Sequence, residues 1–425
     1  MGPIQSESMK IEVSDTKDRP TCVSDAWPRA RRATSLLFLA DGIGFGIWAA
    51  LLPFMQTRLA LSDAQLGGAM LAMVAGAVLA MLLIGRIVSR HGSPATLAIV
   101  APLFLAILCG PVIAPTYVVL VIAAAAFGAL KGAFDVSVNA QAIAVEKSMG
   151  RPIMATFQAL WSIGGLGAAL LAGLALKAGA APHVLTIATA TVLLIVVTML
   201  RGGFVNDTQS AEAAATGGTF NARALQIGLL AFVALFTEGV MMDWSAVYAR
   251  NVAGAEEWLA PIAFGVFCCS MATGRLAGDR LVARLSAARL LKVSGTLTVA
   301  GIIIMVAVQH WPVTFAGLLV AGLGLANLVP IFLTAAGSIH PGAAGRGVAA
   351  VSTIGYAGFL AGPPIIGGLS GPIGLPAAFV GVALLATLIG AAGPALLSRR
   401  TGSARHVGCE TEIVAQISGG GSVQP

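Results

Sequence analysis

Long apolar runs alternate with short polar segments along most of the chain. Twelve of these runs are long enough to cross a bilayer, since a membrane-spanning helix needs about 20 apolar residues. The pattern therefore predicts an all-α membrane protein with twelve transmembrane helices. In chain order, predicted helices 1 to 12 cover residues 34–56, 65–85, 95–114, 116–144, 153–176, 182–200, 224–249, 258–274, 288–308, 312–336, 346–369 and 373–397.

The polar segments divide these helices into two groups of six. The first half covers 34–200 and the second half 224–398, with a polar linker, predicted to be cytoplasmic, at 201–223. Residues 1–33 and 399–425 lack long apolar runs. We therefore expect two disordered cytoplasmic tails, because such segments cannot bury enough apolar surface to fold.

Composition supports a lipid environment. Hydrophobic residues make up 57% of the chain and charged residues only 10%, whereas soluble domains carry about 25% charged residues. A net charge of +7 could indicate nucleic acid in a soluble protein, but here the basic residues lie in short segments between apolar runs. The chain is therefore not expected to bind nucleic acid.

Basic residues concentrate in every second polar segment. The other segments carry only Arg58, Lys177 and Arg250. Because Lys and Arg are enriched in cytoplasmic loops, this alternation predicts a multi-pass membrane protein with both termini in the cytoplasm.

An internal repeat relates the two halves. Helix 1 contains Asp41 followed by Gly, with Trp48 further on; helix 7 contains Glu238 followed by Gly, with Trp244 further on. A Gly-Arg pair also follows both helix 2 and helix 8. Similarity in the same order indicates two parallel repeats related by an axis along the membrane normal.

Ionisable side chains inside three helices point to a polar cavity. Asp41 lies in helix 1, Lys131 and Asp135 in helix 4, and Glu238 and Asp243 in helix 7. Charges at this depth cost several kcal/mol unless they meet a partner or water. We expect helices 1, 4 and 7 to face a central water-filled space.

Each of these groups has a structural and a functional interpretation. Lys131, Asp135 and Asn139 share one helix face, either as a neutral pair that lets helix 4 pack or as a polar stripe that contacts solute. Asp41 is either a permanently protonated carboxyl or one that binds and releases a proton as the cavity opens. Glu238 is the corresponding candidate in the second half, and Asp243 either contacts solute or is solvated near the outer surface.

Further cavity candidates are aromatic or amide side chains. Trp48, Trp161 and Trp244 can line the cavity, pack in the interior or lie at the membrane interface, because indole has an apolar face and one N–H donor. Asn327 and Pro330 predict a bent helix 10 with an inward-facing amide, since Pro leaves a backbone carbonyl without its helical partner.

Basic side chains crowd the segments after helices 2 and 8, with one acid among them. Positive-inside bias explains the bases but not the acid, so we interpret the cluster as a cytoplasmic gate closed by ion pairs. The predicted gate residues are Arg86, Arg90, Arg275, Asp279, Arg280 and Arg284.

These segments resemble a known signature. Residues 85–92 and 274–280 are similar to the Gly-x-x-x-Asp-Arg-x-Gly-Arg-Arg motif of the major facilitator superfamily, with Ser89 in place of the acid in the first half and Asp279 one position late in the second. More specific stretches resemble a bacterial inner-membrane branch that is distantly similar to the fucose–proton symporters. They are 41–53, 135–141, 161–165, 238–244 and 355–364.

The resemblance implies twelve helices in two pseudo-symmetric halves. In the fucose symporters, carboxylates in helices 1 and 4 serve proton coupling and sugar binding. Asp41 and Asp135 lie in those helices, but they match by helix rather than by motif, so a sugar substrate does not follow.

The predicted function is secondary active transport of a small solute by alternating access. Proton-coupled uptake is the first hypothesis, with Asp41 and Glu238 as the proton-coupling residues. Proton-driven efflux of cationic or apolar compounds is the alternative, and a non-transporting sensor or scaffold is a further one. A monomer in the bilayer, with solute and protons as partners, is expected.

The sequence carries no sign of catalytic or metal chemistry. Its five cysteines form no Cys-x-x-Cys pair, its five histidines are scattered, and zincin and nucleophile-elbow motifs are missing. We therefore expect neither an enzyme nor a cofactor or metal site.

Overall fold

A computed structural model describes residues 26–149, 153–205, 221–337, 339 and 344–398. Within this part of the chain, twelve helices are long and apolar enough to cross a membrane, which confirms the predicted all-α class and the number of spans. Three spans are interrupted and consist of two consecutive helices. The bounds are: helix 1, Ala26–Ala50 and Leu52–Arg58; helix 2, Asp63–His91; helix 3, Ser93–Ile107 and Cys109–Ile113; helix 4, Tyr117–Met149; helix 5, Met154–Lys177; helix 6, Pro182–Met199; helix 7, Ala222–Asn251; helix 8, Ala260–Arg284; helix 9, Ala287–Ala307; helix 10, Trp311–Leu325 and Leu328–Gly337; helix 11, Ala344–Ile373; helix 12, Leu375–Ser398.

Several helices extend beyond the apolar runs that predict them. Helix 1 begins at Ala26, so residues 26–33 of the predicted tail are helical. A helix can continue past the hydrocarbon because its backbone hydrogen bonds are internal, whereas an apolar run reports only the lipid-embedded part. The remaining predicted tail segments, 1–25 and 399–425, and most of the linker, 206–220, lie outside the described residues.

Helix 10 is interrupted where its sequence predicts a bend. Its two segments meet at Ala326 and Asn327. Pro330 has no backbone N–H, so the carbonyl of Ala326, four residues earlier, loses its helical donor. The Asn327 side chain donates from Nδ2 to the carbonyl of Gly274 in helix 8 at 3.0 Å, which ties the bend to its neighbour.

The same helix pairs pack in both halves. Helix 2 packs on helix 4 and helix 1 on helix 5, and in the second half helix 8 packs on helix 10 and helix 7 on helix 11. Small residues allow this close approach, as expected where lipid gives no hydrophobic force between helices. A Cβ atom on Gly128 of helix 4, for example, would overlap the carbonyl of Met73 in helix 2.

The halves meet through helix 2 against helix 11 and helix 5 against helix 8. We call the side of the bundle where helix 1 begins the N-terminal face, and the other side the opposite face. Contacts between Gly67 and Gly367, and between Gly173 and Ile262, lie near the opposite face. A polar link strengthens this closure, because Asn251 donates to Gln56 at 2.9 Å across the two halves.

Candidate functional site

A cavity of about 640 Å³ lies between the two halves, within the size range of small-molecule sites. Its lining includes Met81 of helix 2, Met154 at the start of helix 5 and Val282 near the end of helix 8. All three lie toward the N-terminal face, and Val282 is 45% exposed. The cavity therefore opens at the N-terminal face, while the packed helices close the opposite face.

Three ionisable side chains form a cluster in the first half. Lys131 Nζ lies 2.5 Å from Asp135 Oδ1 and 3.2 Å from Asp41 Oδ1. Asp41 and Lys131 are buried, whereas the Asp135 side chain is 27% exposed to the cavity. Two carboxyls thus share one ammonium group, so the cluster has a formal charge of −1 when all three are ionised.

Close helix packing places this cluster. Gly42 follows Asp41 and lets helix 1 approach the backbone of Trp161 in helix 5, where a Cβ atom would overlap the carbonyl. The rings of Phe45 and Trp161 lie 5.9 and 5.8 Å from Lys131 Nζ. These cation–π distances show that the ammonium group is held by aromatic faces as well as by carboxylates.

The second half holds a different ion pair. Arg275 of helix 8 contacts Glu238 of helix 7, with Nη2 2.9 Å from Oε1. The same guanidinium donates from Nη1 to Ser162 Oγ in helix 5 at 3.2 Å. Arg275 therefore connects an acid of the second half to a hydroxyl of the first.

Asp243 is the acid of helix 7 that has no such partner. It lines the cavity and is 3% exposed. It makes neither a hydrogen bond nor an ion pair with any residue that the structure describes. Asn139 and Asn327 also line the cavity, but both amides are engaged, Asn139 with the carbonyl of Asp135 at 2.8 Å.

Comparison with known proteins decides the family. Residues 34–308 match the family model of the Major Facilitator Superfamily. This chain belongs to the major facilitator superfamily. An uncharacterized MFS-type transporter of Yersinia pestis is 35% identical over 86% of this chain and 95% of its own length. The resemblance stated from the sequence is thereby confirmed, and the protein is a multi-pass membrane transporter.

Solved transporters share the fold of this superfamily member. A mutant of the nucleoside transporter NupG superposes with a TM-score of 0.71 at 12% identity, covering 86% of this chain and 99% of NupG. The fucose:proton symporter FucP of E. coli gives 0.57 at 16% identity, covering 86% of this chain and 97% of FucP. At these identities the likeness establishes the twelve-helix architecture and leaves substrate open.

Among the predicted cavity tryptophans, the transporter brings only Trp161 to the cavity wall. Trp48 is 2% exposed and stacks on Phe127 with ring centroids 5.6 Å apart. Trp244 is fully buried. The indole N–H groups of Trp48 and Trp244 have no hydrogen-bond partner within the described chain, and both side chains are buried in helix packing outside the cavity lining.

The predicted gate residues occupy two different environments in this transporter. The apolar pattern places Arg275 in the segment after helix 8, but helix 8 continues to Arg284 and Arg275 lies in the cavity wall. The apolar run stops at Gly274 because a charge follows, yet the helix continues because its backbone hydrogen bonds are internal, and Glu238 provides the countercharge for Arg275.

The other gate residues lie toward the N-terminal face. Arg86, Arg90, Arg280 and Arg284 are exposed and form no ion pair with described residues. The side chain of Asp279 lies outside the described part, so the gate stays a prediction.

The cavity residues that sequence reasoning misses include one polar and three aromatic side chains: Gln158, Phe45, Tyr356 and Phe359. Gln158 is polar within an apolar span and lies one helical turn before Ser162, so its position alone is a usable signal. The aromatic residues carry no such signal, because an aromatic side chain suits lipid, packing and cavity positions equally.

Proposed function

We propose that this transporter takes up a small polar solute across the bacterial inner membrane together with protons, acting as a monomer by alternating access. One observation carries the proposal: Asp41, Asp135, Glu238 and Asp243 all line a single cavity between the halves. Buried carboxyls on both sides of a central site can bind protons and solute in the same cycle.

The Asp41–Lys131–Asp135 cluster supports a role in proton coupling. When Asp41 takes up a proton, Lys131 forms an ion pair with Asp135 alone, and the cluster becomes formally neutral. A solute group that engages the partly exposed Asp135 changes how Lys131 is shared between the two carboxyls, and with it the countercharge at Asp41. Solute binding and the protonation of Asp41 are thus linked through one ammonium group.

The Glu238–Arg275–Ser162 arrangement supports a second proton step. Rocking of the halves separates helix 8 from helix 5 and breaks the hydrogen bond between Arg275 and Ser162. Protonation of Glu238 weakens its hold on Arg275 and makes this separation less costly. Glu238 is therefore proposed to couple the proton to movement of the halves rather than to solute binding.

Basic residues orient the molecule in this proposal. Arg86, Arg90, Arg280 and Arg284 lie toward the N-terminal face, and such residues favour the cytoplasmic side. The N-terminal face and both termini are then cytoplasmic, and the structure represents an inward-facing state from which solute leaves into the cell.

Purified protein in proteoliposomes tests the coupling. A pH-sensitive dye inside the vesicles reports proton entry as sugars, nucleosides, amino acids and amines are added outside in turn. We expect a solute that carries protons inward with wild type. We also expect about a tenfold or greater loss of pH-driven uptake with Asp41→Asn, because the amide cannot bind and release a proton.

The control variant is Glu257→Gln, an exposed acid in the segment before helix 8, which should transport normally. Intact pH-driven uptake by Asp41→Asn contradicts the assignment of the proton to Asp41. If no solute in the panel moves protons, the sensor or scaffold hypothesis is favoured instead.

Efflux of cationic or apolar compounds is the second candidate. Asp243 favours it, since an unpaired acid suits a cation, and the rings of Phe45 and Phe359 suit an apolar body. Vesicles that hold the solute at the same concentration inside and outside, and are given an inward proton gradient, distinguish the two hypotheses. Export of the solute supports efflux, and its accumulation inside the vesicles supports uptake.

A further inference from the structure

Charge compensation in the cavity is uneven. Lys131 neutralises Asp41 or Asp135, and Arg275 neutralises Glu238. Both cationic side chains of the described cavity wall are therefore already engaged. Asp243 lines the same cavity without a cation or a hydrogen-bond donor among the described residues.

Burial makes the isolation of Asp243 costly. Its 3% exposed surface belongs to a residue of the cavity wall, and a carboxylate without a partner at bilayer depth costs several kcal/mol. A residue that served only packing would be apolar, like its neighbours Met242 and Trp244. A ligand in the cavity can therefore stabilise the carboxylate of Asp243.

The ring of Phe359 in helix 11 packs against the face of helix 7 that carries Asp243. Gly239 precedes Asp243 by one helical turn, which places the two residues one above the other. A Cβ atom on Gly239 would lie 3.4 Å from the ring of Phe359 in helix 11, and Phe359 also lines the cavity. An acid beside an aromatic face is a favourable environment for an organic cation.

We propose that the solute carries a cationic amino group and that Asp243 binds it. The inference rests on the proposed function, since it assumes that a solute occupies the cavity. Anionic solutes are disfavoured, because Lys131 and Arg275 are committed to carboxylates. A neutral solute leaves Asp243 without a countercharge.

Thermal unfolding of the full-length protein in detergent tests the proposal without requiring transport, because a bound ligand raises the melting temperature by mass action. The probes are matched pairs with and without a positive charge: choline and 3,3-dimethylbutanol, glucosamine and glucose, putrescine and 1,4-butanediol. We expect a charged member to stabilise wild type more than its neutral partner. Its apparent Kd should weaken about tenfold or more in Asp243→Asn.

Two further variants separate charge from fold. Asp243→Glu keeps the charge and should retain a preference for charged probes, whereas Glu257→Gln removes an exposed acid elsewhere and should bind like wild type. Equal stabilisation by charged and neutral members, no stabilisation by any charged probe, or a charge preference that survives in Asp243→Asn overturns the proposal.

The two proposals fail in different ways. Amine binding through Asp243 without any flux in proteoliposomes leaves this inference standing and contradicts transport. Proton-linked uptake of a neutral sugar that Asp243→Asn still performs leaves transport standing and contradicts the cationic substrate.

Discussion

Single ion pairs decide whether charges can remain at bilayer depth. Glu238 is buried, and Arg275 is its countercharge among the described residues. Arg275→Met removes that countercharge, and breaking a buried pair from one side costs about 3–5 kcal/mol. We expect a clear fall in melting temperature in detergent, most of it restored in the double variant Arg275→Met/Glu238→Gln, where no uncompensated charge remains.

The control for this pair lies on the same helix. Arg280 is exposed, so Arg280→Met should change stability by less than about 0.5 kcal/mol, as surface substitutions do. Equal losses in Arg275→Met and Arg280→Met, or a double variant no more stable than Arg275→Met, contradict the buried pair.

The sequence predicts cavity residues where a charge lies inside an apolar run, but not where a charge follows the end of one. Asp41, Lys131 and Asp135 are visible because a charge inside an apolar run is costly wherever it points. Arg275 is missed as a cavity residue because the apolar run ends just before it. Trp48 and Trp244 are buried in helix packing, which is one of the positions that their sequence leaves open. A helix that is apolar on all sides does not reveal which face turns inward.

Helix 2 and helix 11 close the opposite face through glycine. A Cβ atom on Gly67 would lie 2.7 Å from the carbonyl of Pro363 and 3.1 Å from Cα of Gly367. These are backbone atoms, so the helices must separate to admit a larger side chain, at a cost of about 1–3 kcal/mol. Gly67→Val is therefore expected to raise the population of states open at the opposite face about tenfold.

Electron–electron distance measurements can detect this shift. Spin labels at Thr57 and Glu256, both exposed near the opposite face, should show a longer-distance population in Gly67→Val in a cysteine-free background. Gly368→Val is the matched control, because a Cβ atom at Gly368 meets nothing within 4 Å. An unchanged distance distribution in Gly67→Val, or the same change in Gly368→Val, contradicts closure by this crossing.

Elements are predictable where one local property determines them. The twelve spans follow from apolar length, and the break in helix 10 follows from Pro330 and Asn327. The crossing of Gly67 with Gly367 is not predictable from the sequence alone, because the chain has 52 glycines and local sequence does not show which of them face another helix. The end of helix 8 is missed because its apolar run stops at Gly274, whereas its internal backbone hydrogen bonds continue to Arg284.

The whole molecule is asymmetric across the membrane. The cavity opens at the N-terminal face beside Val282, and the halves touch at the opposite face. If the N-terminal face is cytoplasmic, as the distribution of basic residues predicts, a reagent dissolved in water reaches Val282 from the cytoplasm alone. Orientation and conformational state can therefore be tested together on membranes prepared with either side outward.

Single cysteines at Val282 and Thr57 in a cysteine-free background provide this test with a membrane-impermeant maleimide. The Val282→Cys variant should label at least about tenfold faster in inside-out than in right-side-out vesicles, since the packed opposite face bars a bulky reagent. Thr57→Cys, exposed at the opposite face, should show the reverse preference. If both variants show the reversed preference, the proposed orientation is wrong. If only Val282→Cys labels faster in right-side-out vesicles while Thr57→Cys behaves as expected, the orientation holds, but the cavity is open to the other side and the inward-facing state is wrong.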